Sequence, residues 1–227
     1  MKTIMGIDEA GRGPVLGDLF IGGVVFSDNY LPVLEKSDIN DSKKLSPRKR
    51  EELYDYILQN CTAYLVDQIS NEIIDANSRK HVNLNQLELD SISNLIIKLQ
   101  PDVVYIDALG RDLENFRKKI SMKVKDELNF LPKVLACYKA DEKYKIVGAA
   151  SIIAKVHRDR SIIASSTRYK KYGEIGSGYS SDQKTIAFLR NYIKINRKPP
   201  EIARTSWQTC ANLMNELVYQ KKLDGYF

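Results

Sequence analysis

The sequence has few of the residues that form disulfides or hold soft metal ions. Among its 227 residues are three cysteines and two histidines. Cys61, Cys137 and Cys210 are odd in number and far apart, which indicates reduced thiols rather than a disulfide framework. His81 and His157 do not have the spacing of zinc ligands. A disulfide scaffold and a zinc site are therefore not expected.

Long apolar runs are also missing. No stretch approaches the roughly 18 consecutive apolar residues that a membrane span needs. The first ten residues, MKTIMGIDEA, lack the apolar core and the cleavage site of a secretory signal. With 43% apolar and 28% charged residues, the chain has the composition of a globular protein. We expect a cytoplasmic monomer that does not bind membranes.

The chain carries an excess of positive charge. Lysine and arginine total 35 against 29 acids, so the formal net charge is +6. This excess is compatible with a solvated surface or with a phosphate-rich partner. Clusters such as DSKKLSPRKR and RYKKYG favour the phosphate-rich partner.

Apolar strand patterns alternate with helical patterns along the chain. The sequence predicts strands at 2–7, 19–26, 62–69 and 103–107 and within 131–141, with the first two joined as a hairpin. It predicts helices that begin with Ser46 as cap and Pro47, that cover 84–100 and 144–165, and that start near Ser181 and Ser206. This alternation is typical of an α/β layer architecture.

Acidic residues stand where predicted strands give way to a loop or a helix. They are Asp8, Glu9, Asp107 and Asp141. Ligands bind near the strand ends of an open α/β sheet, so acids from separate strands can converge there. Gathered carboxylates repel one another, so such a cluster normally holds a cation. Oxygen ligands select Mg²⁺ or Mn²⁺, and two such ions about 4 Å apart can hydrolyse a phosphodiester.

Two points limit this interpretation. Any one of these acids could instead cap a helix or a turn. In addition, Asp8 and Glu9 are neighbours, and neighbours on a regular strand point to opposite faces. They can share a metal site only if the strand has begun to turn, which Gly11 and Gly13 favour.

The stretch GIDEAGRGPVLG at residues 6–17 contains a glycine-rich turn. Its spacing, G-x-G-x-x-x-G, misses the dinucleotide fingerprint by one residue, and acids precede it where a pyrophosphate would be repelled. The sequence also has no G-K-[ST] of a phosphate-binding loop. A nucleotide-dependent oxidoreductase is therefore disfavoured.

A series of motifs, taken in order, resembles the ribonuclease HII family, particularly its archaeal form. The motifs are GIDEAGRGPVLG, DSKKLSPRKREELY, VYIDALG, KADEKYKIVGAASIIAKVHRDR, YGEIGSGYSSD and RTSWQT. The resemblance implies a ribonuclease H-like α/β fold, with a mixed central sheet flanked by helices and a smaller helical C-terminal region. It implies a catalytic domain over 1–172 and a helical region over 173–219.

The resemblance also implies an activity. The family cleaves RNA paired with DNA, and it cleaves 5′ of single ribonucleotides in duplex DNA, leaving 3′-hydroxyl and 5′-phosphate ends. The alternative is a catalytically inactive module of the same fold that binds RNA/DNA hybrids. The family's metal-binding acids match Asp8, Glu9, Asp107 and Asp141, which implies two Mg²⁺ or Mn²⁺ ions during catalysis.

Further matches imply the substrate contacts. Gly11, Arg12 and Gly13 match the G-R-G loop at the junction of RNA and DNA, and Tyr179 matches the tyrosine that stacks on the following sugar. Phosphate contacts are expected from Lys43, Lys44 and Arg158. Two positions depart from the family pattern: Asp18 replaces a proline or small residue, and Ala108 replaces a serine.

The last residues, 220–227, read QKKLDGYF. This segment resembles the peptide by which replication and repair proteins bind the sliding clamp. One tight helical turn would place the apolar residues in a single pocket beside the glutamine; the matching residues are Gln220, Leu223, Tyr226 and Phe227. The alternative is that they complete the core of the last helix, although Gly225 disfavours a helix there.

Overall fold

A mixed β-sheet is the central element of the protein. The structure, a computed structural model, describes residues 1–39, 45–108 and 112–219. Over these ranges it has the strands β1 (Thr3–Ala10), β2 (Leu19–Ser27), β3 (Ala63–Ile69), β4 (Val103–Asp107) and β5 (Lys133–Cys137). Their order is β3-β2-β1-β4-β5, with β2 antiparallel to β1 and with β4 parallel to both β1 and β5. The predicted fold class is confirmed.

Helices account for most of the remaining described chain. They are α1 (Leu31–Glu35), α2 (Pro47–Asn60), α3 (Asn71–Arg79), α4 (Leu84–Leu99), α5 (Leu113–Lys125), α6 (Ala140–Lys143), α7 (Lys145–Tyr169), α8 (Gln183–Asn196) and α9 (Gln208–Met214). The chain after α9 continues as a π-helical segment, Asn215–Tyr219. Of these, α2, α4, α7, α8 and α9 lie where helices are predicted. None of the helices in the described ranges is long and apolar enough to cross a lipid bilayer.

Side-chain caps explain where the predicted helices begin. The Ser46 side chain accepts a hydrogen bond from the Lys49 amide at 3.2 Å, and Pro47 opens α2. The Asp182 side chain accepts one from the Lys184 amide at 2.9 Å at the start of α8. Each cap satisfies an amide that has no partner within its helix.

Three of the four acids lie in elements other than those predicted. β1 does not end at residue 7; it runs to Ala10, because its ladder with β2 continues through the pairs Asp8↔Gly22 and Glu9↔Ile21. The strand therefore has not turned at the two acids. Asp141 does not end a strand either. The left-handed conformation of Lys139 (φ 55°) follows β5 and precedes α6, and Asp141 lies in the first turn of α6.

The chain folds as two compact units. The first comprises Met1–Ala10, Phe20–Gln68 and Asn85–His157, and the second comprises Gly11–Leu19, Ile69–Leu84 and the described part of Arg158–Phe227. A core of aliphatic side chains from β1, β2, α2 and α7 fills the first unit, and a core rich in tyrosine and leucine from α7, α8 and α9 fills the second. The sequence predicts consecutive domains, 1–172 and 173–219, and that division stays a prediction.

In the first unit, α7 lies unusually close to the sheet. A Cβ atom added to Gly6 would lie 2.1 Å from the carbonyl oxygen of Ile146, and one added to Gly22 would lie 2.7 Å from that of Ala150. Real Cβ atoms do not approach backbone at such distances, so only glycine fits at these two places. Small residues on the helix, including Ala149 and Ala150, are fully buried at the contact.

We expect Gly6→Ala to lower the free energy of unfolding by about 2 kcal/mol or more, because the added methyl group must push α7 off the sheet. Thermal and denaturant unfolding would measure this change. Gly13→Ala is the matched control, since its added carbon would lie at an ordinary contact distance of 3.6 Å from the Tyr179 ring. Equal stability of the two variants would contradict the close contact.

Candidate active site

Three of the four predicted acids meet at one end of the sheet. β1 and β4 are parallel neighbours, and Ile7 pairs with Ile106. The next residue on each strand is an acid, Asp8 on β1 and Asp107 on β4, so the two acids are neighbours across the sheet. Asp8, Glu9 and Asp107 line one small pocket, together with Glu88 of α4 and apolar side chains. Glu88 is fully buried, and no sequence motif indicated its presence here.

The ionisation of Asp8 is perturbed by its surroundings. Its side chain is buried, with 7% of the residue exposed. Burial, and then the neighbouring Glu9 carboxylate, raise the pKa of Asp8 well above its ordinary value of 3.8. A hydrogen bond from Ser151 and the positive charge of Lys155 act in the opposite direction. The Lys155 ammonium in turn lies 2.7 Å from the Ser151 hydroxyl, one turn away on α7.

Asp107 and Asp141 are oriented by backbone amides. The Asp107 carboxylate accepts hydrogen bonds from the amides of Ala108 at 3.0 Å and Ala140 at 3.3 Å. The Asp141 carboxylate, 5% exposed, accepts one from the Glu142 amide at 3.1 Å. Asp141 does not line the pocket of the other three acids, but it follows the residue that Asp107 contacts. Since the residue 108 contact comes from its backbone, an alanine supplies it as well as a serine would.

These acids are chemically suited to bind a hard cation, but their side chains are not arranged around a single ion. In the part of the chain that the structure describes, no three acidic, histidine or cysteine side chains are placed to hold one metal ion. Asp8, Glu9 and Asp107 line one pocket, whereas Asp141 lies in α6 and is not among the residues that line it. The donors are all oxygens, the ligands that Mg²⁺ and Mn²⁺ prefer. A cation would also offset the repulsion that raises the pKa of Asp8.

The predicted substrate-binding residues that the structure describes lie in the second unit. Gly11 has a φ of 92°, and a Cβ there would lie 2.5 Å from the Asp18 carbonyl oxygen and 3.4 Å from the Arg158 side chain. The Arg158 guanidinium lies 5.2 Å from the centre of the Tyr179 ring, a cation–π distance. Tyr179 is 39% exposed, and Gly13 lies against the edge of its ring. The structure thus brings the glycine loop, a cation and an exposed aromatic ring to one place.

Other predicted residues lie outside the described ranges. Lys43 and Lys44 fall in the gap at 40–44, and the clamp-binding residues fall in 220–227. Those assignments stay predictions; the clamp-binding residues are Gln220, Leu223, Tyr226 and Phe227.

Several residues of both units were not singled out by sequence reasoning. In the first unit they are Ser151 and Lys155, whose only signal is their i, i+4 spacing in an otherwise apolar helical segment. In the second unit the largest fully buried side chain is that of Arg204, which hydrogen-bonds to the glycine loop. Its only signal is its position in the RTSW motif.

Asp18 has a structural role in the second unit. Its carboxylate accepts a hydrogen bond from the Asn71 amide at 2.8 Å, at the start of α3, and its charge favours the protonated form of buried Arg204. The departure from the family pattern at this position therefore supplies a helix cap and a counter-charge.

Asp75 holds the segment that carries Arg204. Its buried carboxylate accepts hydrogen bonds from the amide and hydroxyl of Thr205 at 2.7 and 2.6 Å, and from those of Ser206 at 3.0 and 2.6 Å. Burial alone would raise the pKa of Asp75, but these four hydrogen bonds outweigh burial and lower it.

Comparison with known proteins identifies relatives along nearly the whole chain. The sequence model of the ribonuclease HII family matches residues 5–210. A ribonuclease HII from Thermococcus kodakarensis is 40% identical over 233 residues, which cover 99% of this chain and 98% of that protein.

Solved structures give the same relationship. The crystal structure of ribonuclease H2 from Pyrococcus horikoshii superposes with a TM-score of 0.85 at 36% identity, covering 95% of this chain and 98% of that one. The structure of a complex of PCNA with ribonuclease HII from Archaeoglobus fulgidus gives a TM-score of 0.80 at 37% identity, covering 92% and 96%.

We expect Asp75→Asn to lower the free energy of unfolding at neutral pH by about 1.5–3 kcal/mol, the range for hydrogen bonds to a charged group. Because folding lowers the pKa of Asp75, its contribution is present above the ordinary value of 3.8 and is lost as the pH falls through the lowered value. Thermal unfolding as a function of pH should therefore show the two curves converging in acid. Asp55→Asn, at an exposed position of α2, should have little effect at any pH. A difference that does not change with pH would contradict the role of the charge.

Proposed function

The chain belongs to the ribonuclease HII family of metal-dependent endoribonucleases, and we propose that it cleaves RNA/DNA hybrids and also nicks duplex DNA on the 5′ side of a single ribonucleotide. The products would carry 3′-hydroxyl and 5′-phosphate ends. The observation that carries the proposal is the pocket at the end of β1 and β4, lined by Asp8, Glu9 and Asp107.

The proposed metal ligands are the acids of that pocket together with Asp141. Two Mg²⁺ or Mn²⁺ ions held there would supply an activated water and stabilise the leaving oxygen of the phosphodiester. Other groups of the protein would prepare the acids to bind these ions. Ser151 and Lys155 favour the ionised form of Asp8, which is the form that binds a cation. The amides of Ala108 and Ala140 orient the Asp107 carboxylate.

The substrate would be recognised by the loop of Gly11, Arg12 and Gly13. Glycines without a Cβ allow the backbone to come within hydrogen-bond distance of a 2′-hydroxyl, the group that distinguishes RNA from DNA. The exposed Tyr179 ring provides a flat surface for the deoxyribose that follows. Arg158, beside that ring, would bind a backbone phosphate. Lys43 and Lys44 are proposed as further phosphate contacts from sequence alone.

A buried acidic pocket favours the enzyme over an inactive binding module of the same fold. A module that only binds an anionic hybrid gains nothing from carboxylates, which repel phosphates. It also gains nothing from keeping Asp8 buried beside Glu9, an arrangement that opposes ionisation of Asp8. Both features are useful where the acids hold cations.

We expect the protein to nick a labelled DNA duplex immediately 5′ of a single ribonucleotide when Mg²⁺ or Mn²⁺ is present, and to stop when a chelator is added. Asp107→Asn should lower the rate at least about a hundredfold, because a bound metal ion supplies several kcal/mol of transition-state stabilisation. Denaturing gel electrophoresis would locate the cut, and end analysis would identify its termini.

The matched control for this assay is Glu114→Gln. Glu114 is an exposed carboxylate that pairs with Arg117 on α5, and its loss should leave the rate unchanged. Tight hybrid binding without any metal-dependent cleavage would instead favour the inactive binding module.

We propose further that residues 220–227 bind a sliding clamp. The motif formed by Gln220, Leu223, Tyr226 and Phe227 supports this, as does the structural likeness to the ribonuclease HII that has been solved in complex with PCNA. The aromatic pair and the leucine would fill an apolar pocket on the clamp. The cytoplasmic location and the monomeric state stay predictions.

Deletion of residues 220–227 should abolish binding to the cognate clamp while leaving cleavage of a short duplex intact, because the tail carries none of the proposed catalytic acids. Surface plasmon resonance and the nicking assay would measure the two properties. Replacing Tyr226 and Phe227 by alanine should reproduce the loss, whereas replacing Lys221 and Lys222 should not. Clamp binding by the shortened chain would refute the proposal.

A further inference from the structure

The side chain of Arg204 is fully buried in the second unit and donates hydrogen bonds to the glycine loop. Its Nε donates to the carbonyl oxygen of Gly17 at 2.9 Å, one Nη to that of Arg12 at 2.8 Å, and the other Nη to that of Gly11 at 2.5 Å. The fixed fork of a guanidinium allows one side chain to reach three separate carbonyls.

Trp207 completes this arrangement. Its indole N–H donates to the carbonyl oxygen of Gly13 at 3.3 Å, and its ring lies 5.0 Å from the Arg204 guanidinium. Every carbonyl of the G-R-G tripeptide therefore accepts a hydrogen bond from either Arg204 or Trp207.

A buried guanidinium is costly, which indicates that its geometry matters. Burial is the main reason that the pKa of Arg204 is lowered to about 10, while the charges of Asp18 and Asp75 act in the opposite direction. An apolar side chain of similar size would fill the same volume without that penalty. What an apolar side chain does not supply is three directed hydrogen bonds to carbonyl oxygens.

The hydrogen bonds to the carbonyls also fix the direction of the amides. In a planar trans peptide the N–H points opposite to the C=O of the same unit. With the carbonyls of Gly11 and Arg12 turned towards Arg204, the amides of Arg12 and Gly13 must point away from it. The next peptide has no N–H, because residue 14 is proline.

We propose that Arg204, assisted by Trp207, is a positioning residue for ribonucleotide recognition. It holds the G-R-G carbonyls inwards, so that the amides of Arg12 and Gly13 are presented to the 2′-hydroxyl side of the substrate. Arg204 does not itself touch the nucleic acid. The inference rests on the proposed substrate-binding function of the loop.

The test compares two affinities in a catalytically inactive Asp107→Asn background with Mg²⁺ present. Fluorescence anisotropy would measure binding to a duplex with one ribonucleotide and to the same duplex in all-DNA form, and their ratio is the readout. Arg204→Lys keeps the charge but loses the fork, so the ratio should fall about tenfold, as for loss of hydrogen bonds to a charged group. Trp207→Phe keeps an aromatic ring beside Arg204 but loses the indole N–H and its one hydrogen bond, so its ratio should fall about threefold.

Ile193→Ala is the matched control, because it creates a cavity in the core of the same unit without touching the loop carbonyls. A purely structural role for Arg204 predicts that all three variants keep the wild-type ratio while losing thermal stability, and that outcome would overturn the inference. If Arg204→Lys does not fold, an unchanged ratio in Trp207→Phe overturns it. A wild-type protein without any preference for the ribonucleotide would refute the loop's proposed function instead.

Discussion

The close contact between α7 and the sheet is the constraint on which the acidic pocket depends. Gly6 and Gly22 leave room for helix backbone where any side chain would collide with it. That contact brings Ser151 within hydrogen-bond distance of Asp8 and brings the Lys155 charge near it. Without them, only the backbone amide of Glu9 would oppose the effects of burial and of the Glu9 charge on the pKa of Asp8, which would then be less able to ionise. Packing of a helix on a sheet thus influences the pKa of a carboxylate.

In the second unit, hydrogen bonds hold the glycine loop in place. The G-R-G part of this loop, residues 11–13, has little apolar side-chain surface to bury, unlike Val15 and Leu16, which lie in the core. The loop is instead held through its backbone, by Arg204 and Trp207, and their segment is held in turn by Asp75. Asp18 serves both α3 and the buried arginine. Arg204 and Asp75 are buried, and each has hydrogen-bond partners, as buried polar groups must.

Elements with strong local signals could be predicted from the sequence, and those set by tertiary contacts could not. β4 ends at Asp107 as predicted, and α2 begins at Pro47 behind its serine cap, because both signals lie within the segments themselves. The predicted end of β1 was wrong, because the pairing of Asp8 and Glu9 with β2 extends that strand to Ala10. The helix α5 was missed although Phe116, Ile120 and Val124 repeat at helical spacing. Among the site residues, the motif acids and Tyr179 could be named, whereas the burial of Arg204 depends on partners almost 200 positions away in sequence.

Because the hydrogen bonds to the loop are made to its main chain, the positions involved should differ in how well they tolerate substitution. A carbonyl oxygen is present whatever amino acid occupies a position, so side-chain diversity at residue 12 leaves the hydrogen bond from Arg204 in place. Diversity at residue 204 removes all three at once. Tolerance to mutation should therefore be distributed unevenly: residue 12 can be varied without loss of the hydrogen bond to its carbonyl oxygen, whereas Gly11, which has no room for a Cβ, and Arg204 cannot.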